Sequence, residues 1–152
     1  MVLSVALLLT ILLTVLAFRT KCLHKLEVVV LWMFISSLVY DVYSMGGLNL
    51  GHIKTSDRME EFFSFVVVSA ALIPALITWM FGIILSLRTL VWKYVFIIMS
   101  PFVLVVLEYT ADFLGIIKHH QMSKWDSFLV WCLVLLVVYI FRRCFFLLSK
   151  GV

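Results

Sequence analysis

Residues 94–117 read YVFIIMSPFVLVVLEYTADFLGII, a long apolar run broken only by Pro101 and by two acids, Glu108 and Asp112. A helix rises about 1.5 Å per residue, so roughly 20 apolar residues cross a hydrocarbon layer about 30 Å thick. This stretch is long enough to do so. Its apolarity is also continuous, whereas barrel strands would alternate over about ten residues.

Working outward, similar runs occupy residues 2–18, 26–43, 59–85 and 127–148. The predicted fold class is therefore all-α: one polytopic transmembrane bundle of five spanning helices covering residues 1–152. Composition agrees, with 65% hydrophobic and 13% charged residues against about 25% charged in soluble domains. Mean hydropathy is +1.21, and the runs leave no room for a soluble domain. The first run lacks a basic leader, and Leu16-Ala17-Phe18 is not a small-x-small cleavage site, so it reads as a retained helix.

The segments between runs carry ordinary punctuation. Residues 44–55 hold Gly46-Gly47, Asn49 and Gly51 and read as a loop, as do residues 118–124. Asp57 with Glu60, and Ser123 with Asp126, have capping-box spacing ahead of apolar stretches. Residues 86–93 read as a short connection, and the chain beyond Arg142-Arg143 as an amphipathic tail. Pro74, near the centre of 59–85, and Pro101 each remove a backbone hydrogen bond and favour a kink. Ala71 and Ala75 form a small-xxx-small pair that admits close helix approach. Trp92, Trp125, Tyr43, Tyr94 and Tyr109 read as interfacial aromatics.

Charge sets an orientation. Arg19, Lys21, Lys25, Arg88, Lys93, Arg142, Arg143 and Lys150 fall on one side, and Lys54, Arg58, Lys118 and Lys124 on the other. The positive-inside rule then places the amino terminus outside and the carboxyl terminus in the cytoplasm. Every carboxylate except Glu27 falls on the outer side. The basic excess, net charge +4, suits an anionic inner leaflet rather than nucleic acid.

Glu108 and Asp112 carry the most chemical interest. Their i, i+4 spacing puts them on one helix face, and an acid near a span's centre costs about 2.5–3.5 kcal/mol on insertion scales. Such side chains are expected to face protein or water, and two like charges one turn apart favour a shared proton or a bound cation. With Ile117 as the outer boundary, Glu108 would lie roughly 13 Å below it and Asp112 roughly 7 Å. Asp41 and Tyr109 complete the candidate polar pocket, placed among helices two, three and four. The alternative is a neutral Glu108 hydrogen-bonded to a neighbouring helix. His52, His119 and His120 share the outer side and are candidate metal ligands, although no HxxxH or ExxH spacing accompanies them. Cys22, Cys132 and Cys144 show no CxxC spacing. No P-loop, GxSxG, HExxH or dinucleotide turn is present, and no cofactor is predicted.

Asp41 closing the second helix, the run FVVVSAALIPALITWMFG (residues 65–82), and Glu108 followed by LGIIKHHQMSKWDSF (114–128) together resemble a family of small, roughly five-helix membrane proteins from endospore-forming and related Gram-positive bacteria. The likeness covers about two thirds of the chain. Members tend to carry an acid, then Gly-Leu-Ile, a His- or Tyr-containing turn, Trp and Ser. The tail departs from them, with Arg142-Arg143-Cys144 and no His. The resemblance implies the same fold and a bacterial plasma membrane, and it offers no reaction.

Three functions follow as expectations. The first is an interaction or accessory subunit, whose partners are the lipid bilayer and either further copies of the chain or other membrane proteins. The second is a proton- or cation-coupled transporter using the intramembrane carboxylates. The third is an intramembrane enzyme acting on lipid, which lacks an evident nucleophile.

Overall fold

The computed structural model describes residues 2–19, 23–44, 53–55, 59–119 and 123–149. Its elements are α1 (Val2–Arg19), α2 (Lys25–Asp41), β1 (Ile53–Thr55), α3 (Met59–Val67), α4 (Ile73–Ser86), α5 (Leu90–Phe113), β2 (Ile117–His119) and α6 (Lys124–Ser149). A π-helical turn, Val68–Leu72, joins α3 to α4 without a break. The chain is thus an α-helical bundle with one small addition, the antiparallel ribbon of β1 and β2.

Among the described residues four helical stretches are long and apolar enough to cross a membrane: Lys25–Ser44, Phe62–Ser86, Leu90–Phe113 and Lys124–Leu147. The first helix is shorter, 18 residues. The stretch ending at Ser86 is the interior one, with 67% of its apolar window buried against 17% for each of α5 and α6. Helix α4 packs on α1, α2 and α5, and α6 packs on α2 and α5. Helices α4 and α6 therefore lie on a diagonal, held by the same two neighbours. Ile35 and Val39 of α2, Ile73 and Ile77 of α4, Leu104 of α5 and Val134 and Val138 of α6 are completely enclosed. Without water between the helices, such contacts stabilise chiefly by van der Waals packing. Small residues help here: Ala75 is buried inside the bundle, so the Ala71–Ala75 pair serves packing within the chain.

Both prolines are accommodated by serine hydroxyls. Pro74 has no N–H for the carbonyl of Ala70, one turn earlier, and that carbonyl accepts Ser36 Oγ of α2 at 2.8 Å. The loss falls next to the π-turn, where Ile73 N–H reaches back to Val68 O. Pro74 thus opens a new α-helical segment rather than kinking the middle of one. Pro101 likewise leaves the carbonyl of Ile97 without its usual donor, and Ser100 Oγ supplies one at 2.8 Å. Satisfying such groups internally is obligatory where no water is present.

Several boundaries differ from the sequence reading, each for a local reason. Helix α5 runs from Leu90 to Phe113 rather than over 94–117. Gly115 adopts φ +76°, a left-handed conformation that costs glycine nothing. Its N–H donates to Asp112 O at 2.9 Å, and Ile116 N–H donates to Ala111 O at 3.0 Å. Those two bonds are a Schellman stop, with Ile116 and Ala111 both buried as its apolar contact. At the other end Lys93 N–H bonds Thr89 O at 3.3 Å, so Trp92 and Lys93 belong to the first turn and not to a connection. Helix α6 continues unbroken through Arg142-Arg143 to Ser149, and no separate tail begins there. Its start follows the expected box: Ser123 N–H donates to Asp126 Oδ2 at 3.1 Å and Trp125 N–H to Ser123 Oγ at 3.4 Å. The other predicted box rests on Asp57, which lies outside the described residues.

The ribbon corrects the two outer loops and also ties them together. Ile53 pairs with His119, Lys54 with Lys118 and Thr55 with Ile117. The connection after α2 and the connection after α5 therefore share one end of the bundle. At the opposite end, Arg142 Nε of α6 meets Glu27 Oε1 of α2 at 2.8 Å. Phe34 and Phe141 stack above that pair with centroids 3.8 Å apart.

Candidate functional site

Glu108 sits on α5 five residues before the helix ends, about 7–8 Å from its last residue. It is less deep than a helix ending at Ile117 would place it. Its side chain is nonetheless enclosed, 3% exposed. The enclosing partner is Trp131 of α6, whose Nε1–H donates to Glu108 Oε2 at 2.8 Å. A buried indole N–H needs an acceptor, and a carboxylate accepts more strongly than a neutral group.

Trp131 connects Glu108 to the other helices. The Tyr43 ring meets the Trp131 ring at 6.4 Å, edge-on, and the Phe65 ring at 5.5 Å, also edge-on. Tyr43 follows α2 where residues 42–44 widen to π geometry, and it is buried. It is an interior side chain, not the interfacial aromatic that its position near a helix end suggested. Among the described residues its hydroxyl has no hydrogen-bond partner, and neither does that of Ser127. Ser127 lies one turn before Trp131 on the same face of α6 and is likewise buried. Four elements thus converge at the ribbon end: α2 through Tyr43, α3 through Phe65, α5 through Glu108, and α6 through Trp131 and Ser127.

The remaining candidates spread around this cluster. Asp112 is half-buried in the last turn of α5, and its carbonyl takes part in the helix stop. Tyr109, next to Glu108 in sequence, points about 100° away around the helix and is half-buried beneath Lys124, whose Nζ lies 5.7 Å from the ring centroid. Asp41 is exposed at the end of α2. His119 lies in β2, and His52 and His120 lie outside the described residues. Among the described residues no group of three or more His, Cys, Asp or Glu could hold a metal ion. Cys132 and Cys144 are free thiols.

Sequence reasoning placed the pocket among the second, third and fourth helices and missed the contribution of α6. A signal was available. Trp131 lies about 10 Å inside α6 from its first residue, deeper than an interfacial tryptophan belongs, and a buried indole N–H usually finds an acceptor.

The cluster encloses a carboxylate, and its Tyr43 and Ser127 hydroxyls are unengaged among the described residues. Comparison with family models, with characterised proteins and with solved structures finds no match to this chain.

Proposed function

We propose that the chain is a five-span integral membrane protein acting as an interaction or accessory subunit, its amino terminus outside and its carboxyl terminus in the cytoplasm. Three observations support the spans and the orientation. Helix α1 extends about 27 Å and packs along α3 and α4. The ribbon holds the two acidic-side connections at one end. Arg19, Lys25, Arg88, Lys93, Arg142 and Arg143 belong to the other end. A bacterial plasma membrane is the setting that the family resemblance implies.

One observation carries the subunit reading. The outward faces of α5 and α6 are apolar, with Val103, Val106, Leu129 and Leu133 exposed, while Glu108 and Glu27 are turned inward onto protein partners. The surface on offer is lateral and suits helix–helix contact within the membrane. Cross-linking with mass spectrometry in native membranes is expected to join α5 or α6 to a second membrane protein or a second copy. Replacing Val106 or Leu133 with Trp should weaken those links while the fold persists. Recovery of intrachain links alone would overturn the reading.

A second reading, proton- or cation-coupled transport, draws support from the burial of Glu108 within a span. Purified protein in proteoliposomes would then carry an ion-dependent flux that Glu108→Gln abolishes. Equal flux with and without the substitution, or none above empty vesicles, would reject it.

A further inference from the structure

The diagonal placement of α4 and α6 leaves a cavity of about 500 Å³ between α4, α5 and α6, within the range of about 300–1,000 Å³ typical of ligand sites. Phe81 and Leu85 of α4, Pro101 of α5 and Cys132 and Leu136 of α6 line it, with Tyr139 and Arg142 toward the basic end. Along α6 it reaches from Phe128 to Arg142, about 21 Å or two-thirds of a hydrocarbon layer. The tilted ring contact of Phe128 with Phe102, centroids 4.8 Å apart, stands at the far end. The shape is therefore a long apolar slot with a charged mouth.

Charge at that mouth selects the occupant. Arg143 is exposed one position beyond the lining residue Arg142, Arg88 is exposed three positions beyond the lining residue Leu85, and Lys93 is half-buried four positions before the lining residue Ile97. Arg143 Nη1 donates weakly to Tyr139 Oη at 3.5 Å. Glu27 is the one acid the sequence places on this side, and Arg142 neutralises it. That ion pair is made through Nε, and a guanidinium carries five N–H donors, so Arg142 retains donors for a further acceptor. Apolar walls two-thirds of a bilayer long, running toward the end of the bundle where Lys and Arg outnumber the single acid Glu27, match a fatty acyl chain joined to a phosphate. A second copy's apolar helix would leave those cations unanswered.

We propose that this slot is a binding site for an anionic phospholipid, with one acyl chain between α4, α5 and α6 and the phosphate at Arg142, Arg143 and Arg88. The site needs membrane insertion and does not depend on the subunit reading or on which end faces the cytoplasm.

Native mass spectrometry of the full chain in detergent, titrated separately with phosphatidylglycerol and phosphatidylcholine, tests it. Phosphatidylglycerol should be retained preferentially, and the preference should fall about fivefold for each charge removed in Arg143→Gln and Arg88→Gln. Leu136→Trp, which fills the slot, should abolish retention. Because a filled slot can also disturb folding, the unaltered protein is probed with phosphatidylglycerol carrying a photoreactive group in its acyl chain. Label on the peptide spanning Cys132 to Tyr139 supports the proposal. Equal retention of the two lipids would overturn it, as would label centred on α1 and α2, which do not line the slot, or a dimer that Leu136→Trp dissociates without changing lipid retention.

Discussion

Two buried acids sit at opposite ends of the bundle and are handled differently. Glu27, in the first turn of α2, is met by the guanidinium of Arg142. Glu108, near the end of α5, accepts the indole N–H of Trp131. The same helix, α6, supplies both partners, one near each end. The Glu27 contact joins two full charges and fastens α2 to α6. At Glu108 the donor is a neutral indole N–H, and the contact fastens α5 to α6. One contact is an ion pair and the other a hydrogen bond, so the two are expected to respond differently to substitution.

The largest expected effect comes from breaking the tie. Arg142→Ala leaves Glu27 enclosed without its counter-charge and should cost about 3–5 kcal/mol of stability, measured by reversible unfolding in mixed detergent micelles. The apolar replacement of both partners, Glu27→Leu with Arg142→Met, should recover most of that loss, because the penalty arises from the uncompensated charge. If the double variant is as unstable as the single, the two residues do not act as a pair.

At the other end, Trp131→Phe removes the donor to Glu108 and should destabilise by about 1.5–3 kcal/mol, the range for a hydrogen bond to a charged group. Glu108→Gln keeps an acceptor oxygen for the indole and should cost only about 1 kcal/mol. A loss as large as that of Arg142→Ala would erase the distinction between the two acids. The indole fluorescence of the Glu108→Gln protein should stay close to that of the parent.

The smallest effects belong to the proline serines. Ser36→Ala leaves the Ala70 carbonyl without its donor from α2 and should cost about 1 kcal/mol. Ser100→Ala, whose bond lies within one helix, should cost about 0.6 kcal/mol or less. Thermal unfolding of both variants in the same detergent orders them. The reverse order would mean that the α2–α4 contact does not depend on this hydroxyl.

Much of the local structure was legible in the residues. The Ser123–Asp126 box opens α6 as its spacing requires. Gly115 carried the signal for the end of α5, but the apolar Ile116 and Ile117 beyond it masked the stop. Pro74 and Pro101 were visible as backbone defects, whereas the identity of each replacement donor was not. Ser100 is a neighbour in sequence, but Ser36 is 34 residues from Ala70 and is brought there only by packing.

The residues by themselves fixed that the chain has helices long and apolar enough to cross a membrane, roughly where they lie and which connections are basic, because those properties depend on the length and charge of individual segments. Tertiary structure decided which side of each helix faces inward: Tyr43 turned into the bundle, Asp41 left exposed, Trp131 and Arg142 chosen as partners for the two acids. The physical reason is that lipid tails and a protein interior are equally apolar. A helix that is hydrophobic all round carries little of the amphipathic pattern that marks the buried side in water, so its orientation is set only when the neighbouring helices pack against it.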